Sequence, residues 1–150
     1  MGHTVNSILI KAPYERVFDI SNNIERWTEL FGGEYTDAKV LKKEGNKITF
    51  QLTNNEGNSW QSFRLLFKDY YFTYAQKMEP AFPFKYMKII WLYTPTSEGI
   101  NLTWIQDFTM ADGAKFNDEQ VEGFINNHSR ENLEIFKKVI EKEAGGPNDG

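Results

Sequence analysis

The sequence predicts an α+β fold of one domain, residues 1–150: a curved antiparallel sheet wrapped around a long C-terminal helix, with two short helices after the first strand. Three observations predict it. Six strand-like segments follow one another between Tyr35 and Met110 with only short, turn-rich links, and strands so joined pair as an antiparallel meander. Apolar side chains recur at helical spacing from Val121 to Ile140. Aromatics make up 15% of the chain, with 12 Phe, 7 Tyr and 4 Trp, more than a small core needs but suited to the walls of a ligand cavity.

The elements follow in order. Thr4 to Lys11, with Val5, Ile8, Leu9 and Ile10, reads as a strand. Pro13 takes a first helical position and Tyr14 to Ile20 continues as a short helix. Ser21-Asn22-Asn23 offers caps for a second short helix through Ile24 and Trp27, closed by Gly32-Gly33. The strands then run near Tyr35–Lys43, Lys47–Thr53, Ser59–Lys68, Tyr71–Met78, Phe84–Thr94 and Ile100–Met110. Glu44-Gly45-Asn46, Asn54 to Asn58, Asp69-Tyr70 and Pro95 to Gly99 separate them with turn formers. Asn117 with Gln120 makes a capping box for the last helix. Its stripe is Val121, Phe124, Ile125, His128, Asn132, Phe136, Val139 and Ile140, and Gly145-Gly146-Pro147 ends it before a frayed tail.

Composition excludes several functions. The net charge of -4 argues against nucleic acid as a partner. With no cysteine there is no disulfide framework, thiolate nucleophile or cysteine zinc site. Neither HExxH nor a paired His–carboxylate spacing is present, so no metal is expected, and no glycine-rich phosphate cradle occurs. No apolar run reaches the roughly 20 residues of a membrane helix, and no basic region precedes an apolar stretch at the N-terminus. The expectation is a cytoplasmic protein without membrane partners, monomeric or weakly homodimeric. His3 is read as solvated.

Alternation assigns faces. Trp60, Ser62 and Arg64 share one face of their strand; Met87, Ile89, Trp91 and Tyr93 share another; Leu102, Trp104, Gln106, Phe108 and Met110 form an inner face. His128 and Asn132 interrupt the helical stripe, where a buried polar group must find a partner or face water. The tryptophans have an ordinary reading as core, and His128 as a satisfied helix histidine. Arg64, one of four arginines, lies mid-strand where β-branched or aromatic residues are preferred. It is either a functional cation, one half of an internal ion pair with a carboxylate such as Glu34, a cation stacked on a tryptophan, or, if the face is outer, simply exposed.

Further stretches carry a resemblance. They are Asn6-Ser7-Ile8 with Ala12-Pro13, Asn23 to Phe31, Glu34-Tyr35, Trp60 to Arg64, Phe84 to Met87 with Trp91, Trp104 to Phe108, and Asn127 to Leu133. In these, over nearly its whole length, the chain resembles the single-domain aromatase/cyclases of bacterial type II polyketide synthesis, of the tetracenomycin type. These belong to the Bet v 1-like, START-related (SRPBCC) helix-grip superfamily. The resemblance implies an enzyme that holds a linear poly-β-ketone, delivered on an acyl carrier protein by type II polyketide synthase components, in the cavity between sheet and helix. There it directs first-ring aldol closure and dehydration, without cofactor or metal. It places the pocket arginine on Arg64, the neighbouring serine on Ser62, a pocket tyrosine on Tyr35 and a helix asparagine on Asn132. Wall residues fall on Trp27, Phe31, Trp60, Phe84, Met87, Trp91 and Trp104, with His128 on the same helix as Asn132.

Arginine holds its proton, so Arg64 is expected to act as a fixed cation on a ketone oxygen. Tyr35, with water held by Ser62 or Asn132, would shuttle protons. Lys85 and Lys115 are candidate carrier-protein contacts. The chain departs from the family in a short turn at Asp69-Tyr70 and in Glu79 to Pro83, which leaves pocket depth and ring regiochemistry open. The alternative function is a non-catalytic carrier of hydrophobic molecules such as lipids, quinones or steroids.

Overall fold

Seven antiparallel strands form one sheet in the order β1-β7-β6-β5-β4-β3-β2. The computed structural model describes residues 1–144; the expected helix stop at Gly145-Gly146-Pro147 and the tail lie outside them. The elements are β1 (Gly2–Ile10), α1 (Tyr14–Ser21), a 3-10 turn (Ile24–Arg26) running into α2 (Trp27–Leu30), β2 (Tyr35–Glu44), β3 (Lys47–Asn54), β4 (Ser59–Phe67), a second 3-10 turn (Lys68–Tyr70), β5 (Phe72–Lys77), β6 (Phe84–Thr96), β7 (Gly99–Met110) and α3 (Asp118–Glu143). Strands β2 to β7 are the expected meander. β1 closes the sheet against β7, from Gly2 opposite Phe108 to Ile10 opposite Ile100. Register shifts in β2, between Tyr35 and Asp37 and between Val40 and Lys42, and in β6 near Phe84 add local bend and twist. The sheet curls over α3, which is the helix-grip arrangement.

The core lies where the lower half of α3 meets the sheet. Leu133, Phe136 and Ile140 are buried in one cluster with Ile10, Ile100, Leu102, Trp91 and Trp104. The capping box is present: Asn117 Oδ1 accepts from the Gln120 amide and Gln120 Oε1 accepts from the Asn117 amide. These bonds satisfy two donors that a helix start leaves orphaned.

Several boundaries differ from expectation, each for a local reason. β1 begins at Gly2, where any Cβ would overlap the Phe108 ring. Pro13 occupies the cap position, extended at φ -63° and ψ 146°, and its carbonyl accepts from the Val17 amide. Ser21 and Asn22 do not cap the next turn but point into the core. Asp69-Tyr70 belongs to a 3-10 turn that ends with Tyr71 at φ 66°, its ring stacked on Tyr14 at 4.1 Å. β6 continues through Pro95 because β5 reaches only to Leu92, so a missing N–H on that side breaks no ladder bond. His3 is exposed as expected but pairs with Asp107.

The helical stripe is rotated from the expected one. Val121, Ser129, Asn132, Leu133, Phe136 and Ile140 are buried, whereas Phe124 is 45% exposed and packs edge-to-face with Phe116. At 100° per residue, the buried face turns toward Ser129 and Leu133 and leaves Phe124 and His128 at its margin.

Candidate functional site

Between the concave face of the sheet and α3 lies a cavity of about 610 Å³, within the usual range for small-molecule sites. Every residue named above for the catalytic set or the wall lines it: Arg64, Tyr35, Ser62, Trp27, Phe31, Trp60, Phe84, Met87, Trp91, Trp104, Asn132 and His128. Lys85 and Lys115 are exposed and do not line it. The Trp60–Ser62–Arg64 face of β4 is therefore the inner one.

Arg64 forms the floor, with 1% of its surface exposed. Its Nε donates to Asn22 Oδ1 at 2.9 Å and its Nη2 to Thr73 Oγ1 at 2.8 Å. Its guanidinium lies 3.9 Å above the Trp91 ring and 5.3 Å from that of Trp27. Neither hydrogen bond goes to a carboxylate. Of the structural arrangements open from sequence, tryptophan stacking is present and the Glu34 ion pair is not: Glu34 Oε1 lies 3.5 Å from His128 Nδ1. Burial pulls the guanidinium pKa down to about 10, opposed by the adjoining Tyr93 hydroxyl. The group is thus a permanent cation at neutral pH, held on two sides and stripped of water.

A second polar layer fixes that mounting. Tyr93 Oη bonds Ser21 Oγ at 2.7 Å and accepts from Asn22 Nδ2 at 3.0 Å, while Asn22 Nδ2 also reaches the Phe18 carbonyl. The Trp27 indole N–H donates to the Ser21 carbonyl. The polar residues expected to cap a helix therefore orient the arginine.

The walls are interlocked rings. Trp91 and Trp104 stack at 4.7 Å and 11°, Phe31 stacks on Trp104, and Phe136 meets both tryptophans edge-on. Such contacts are worth about 0.5–1.5 kcal/mol each beyond burial, which makes the wall rigid. The Trp104 indole N–H is buried without a partner among the described residues.

Toward the rim the lining becomes polar. Burial and the neighbouring Glu34 carboxylate push the Tyr35 hydroxyl well above the usual phenol range, so it keeps its proton. His128 is exposed at the mouth, and Asn132 is buried below it on α3. Opposite, on β5, Lys77 Nζ sits 4.1 Å over the Trp60 ring and 4.9 Å over Phe84. Burial lowers its pKa to about 8.

Asn22, Thr73, Tyr93 and Lys77 were not singled out from the sequence. Tyr93 shares a face by alternation with Met87, Ile89 and Trp91, and Thr73 and Lys77 share one with Ala75. Asn22 carried no signal separate from its expected capping role. Among the described residues, no three His, Asp or Glu side chains converge as a metal site, and no helix is long and apolar enough to cross a membrane.

Comparison with known proteins gives concordant results. The profile of the family described as polyketide cyclase / dehydrase and lipid transport matches residues 10–137. A Streptomyces cyaneus protein provisionally named a polyketide cyclase is 38% identical over 146 residues, covering 94% of this chain and 95% of that one. A Streptomyces halstedii protein with the same provisional name is 39% identical over 109 residues, covering 69% and 98%. The crystal structure of the Zhui aromatase/cyclase from Streptomyces sp. R1128 superposes with a TM-score of 0.85 at 17% identity, covering 96% of this chain and 98% of that one.

Proposed function

The chain belongs to the polyketide cyclase / dehydrase and lipid transport family, and on that premise we propose that it is a polyketide aromatase/cyclase. The observation that carries the proposal is the desolvated Arg64 cation, with no carboxylate among its hydrogen-bond partners, at the floor of an aromatic cavity. A passive apolar pocket gains nothing from such a charge, whereas a developing oxyanion does.

The substrate is a linear poly-β-ketone carried on an acyl carrier protein. The rigid wall of Trp27, Phe31, Trp91 and Trp104 folds the chain so that a methylene and a remote ketone carbon meet. The enolate carbon attacks that ketone, its oxygen takes the electron pair, and Arg64 stabilises the oxyanion. Tyr35 is the proton donor for that oxygen, and Ser62 and Asn132 hold the water through which protons move. Loss of an α-proton and the hydroxyl as water, followed by tautomerisation, gives the first aromatic ring. Every step is a proton transfer, the one carbon–carbon bond formation, or the carbon–oxygen cleavage that expels water.

The test is product analysis of a minimal polyketide synthase with and without the protein, beside Arg64→Met and Arg64→Lys. One dominant aromatic product from the wild type, lost with Met and partly kept with Lys, supports the cyclase. An unchanged shunt mixture, together with a lipid or quinone extracted from the purified protein, favours the carrier reading instead.

A further inference from the structure

We propose that Lys77 is the general base that removes the methylene proton for ring closure. The inference rests on the cyclase reading and assigns it a second catalytic residue.

The argument begins with position. Lys77 lies directly across from Ser62 in the β4–β5 ladder, and Arg64 lies across from Ala75. Arg64 and Lys77 are therefore diagonal neighbours on the concave face, about 7–8 Å apart at Cα. An acceptor carbonyl and a donor methylene at the near-attack distance of about 3–3.5 Å fit between a cation on the first and a base on the second. Both side chains line the same cavity.

The second argument is chemical. Lys77 has neither a hydrogen bond nor an ion pair to any described residue; its Nζ meets the faces of Trp60 and Phe84. A structural lysine on a sheet would send its ammonium to water or to a carboxylate. The titratable groups lining the same cavity are Arg64 on the adjacent strand and Tyr35, Glu34, Glu56 and His128 toward the mouth. Burial brings the amine to about 8, so about a tenth is neutral at pH 7, close to the best value for a base at neutral pH. The two rings stabilise the ammonium once it forms.

The step balances. The Lys77 lone pair takes a proton from the methylene between two ketones, and the carbon–hydrogen electron pair becomes the enolate. The enolate carbon bonds to the remote ketone carbon, the alkoxide held by Arg64 takes the Tyr35 proton, and the Lys77 ammonium returns a proton to Tyr35 through the water held by Ser62. The amine is free again for the α-proton of dehydration.

Lys77→Met and Lys77→Arg separate a base from a positioning cation, because arginine keeps the charge but holds its proton. With chain supplied by a minimal polyketide synthase, both variants are expected to lose about 10²-fold or more in rate. Both also lose the rise in wild-type rate as pH passes through about 8. The 13Cε resonance of Lys77, assigned by its absence from Lys77→Arg, should titrate in the same range in the wild type. Lys77→Arg at most of the wild-type rate, or titration at the ordinary lysine value, overturns the base while leaving the cyclase intact. A wild type that directs no cyclisation overturns both.

Discussion

Arg64→Met removes the floor cation and inserts an apolar chain of similar length, and the structure allows its effect on folding and on catalysis to be estimated separately. Burial brings the guanidinium pKa down to about 10, a desolvation cost of about 3 kcal/mol at ~1.4 kcal/mol per unit, which the substitution relieves. Against this, the bonds to Asn22 and Thr73 are lost at about 1.5–3 kcal/mol each, and the cation over Trp91 at about 1 kcal/mol. The net loss is about 1–4 kcal/mol, within the 5–15 kcal/mol of a typical domain. For 150 residues that lowers Tm by roughly 3–15 °C. Removal of an oxyanion donor costs about 2.7–4 kcal/mol in the transition state, or about 10²–10³ in rate. Thermal unfolding by circular dichroism, beside liquid chromatography and mass spectrometry of the synthase products, reads both. A variant unfolded at 25 °C would make Arg64 a structural residue; a folded variant with normal product at a normal rate would refute its catalytic role.

Other expected outcomes concern stability. Lys77 has its folded pKa lowered to about 8 from an unfolded value near ~10.4, so the fold disfavours its charged form. That penalty is complete below pH 8 and fades as pH rises toward 10. Lys77→Met should therefore be more stable than wild type at pH 7 by about 1–2 kcal/mol after the ring contacts are discounted, with the gap closing by pH 10; a gap in urea unfolding that stays constant would refute the assignment. Asn117→Ala removes the capping box and should cost about 1 kcal/mol, a Tm fall of about 2–4 °C. Gly99→Ala puts a Cβ 2.3 Å from the Ile10 carbonyl oxygen at φ +149°; we expect a loss of about 2–4 kcal/mol by urea midpoint, and a midpoint equal to wild type would contradict the packing of that turn.

Much of the fold was legible because turn chemistry is local. Gly45 and the Asn54–Asn58 link mark hairpins whatever surrounds them, and alternation then put Trp60, Ser62 and Arg64 on one face. The Asn117–Gln120 box likewise needs only its own residues. The resemblance, not the spacing, singled out Tyr35 and Asn132 for the site. What stayed hidden depended on distant partners. Asn22 looks like a cap until Arg64 arrives across 42 positions, and Tyr71 looks like a strand residue until its ring meets Tyr14. Lys77 looks solvated because lysines at strand ends usually are, and only closure of the sheet over α3 encloses it. Phe124 was assigned to the stripe because a polar Ser129 masked the true direction of the buried face.

The pairing of β1 with β7 also orders events during synthesis. Gly2 to Ile10 leaves the ribosome before the rest of its sheet, and its partner, Ile100 to Phe108, follows about 100 residues later, roughly 5–20 s at ordinary elongation rates. α3 packs on that same pair and arrives later still. Nascent chains that stop within β7 therefore carry one unpaired strand and an open aromatic trough, a state prone to capture by other exposed edges. The cavity comes into being in a single late event, so a shortened chain should yield no partly active enzyme, only a substrate for chaperones and proteases.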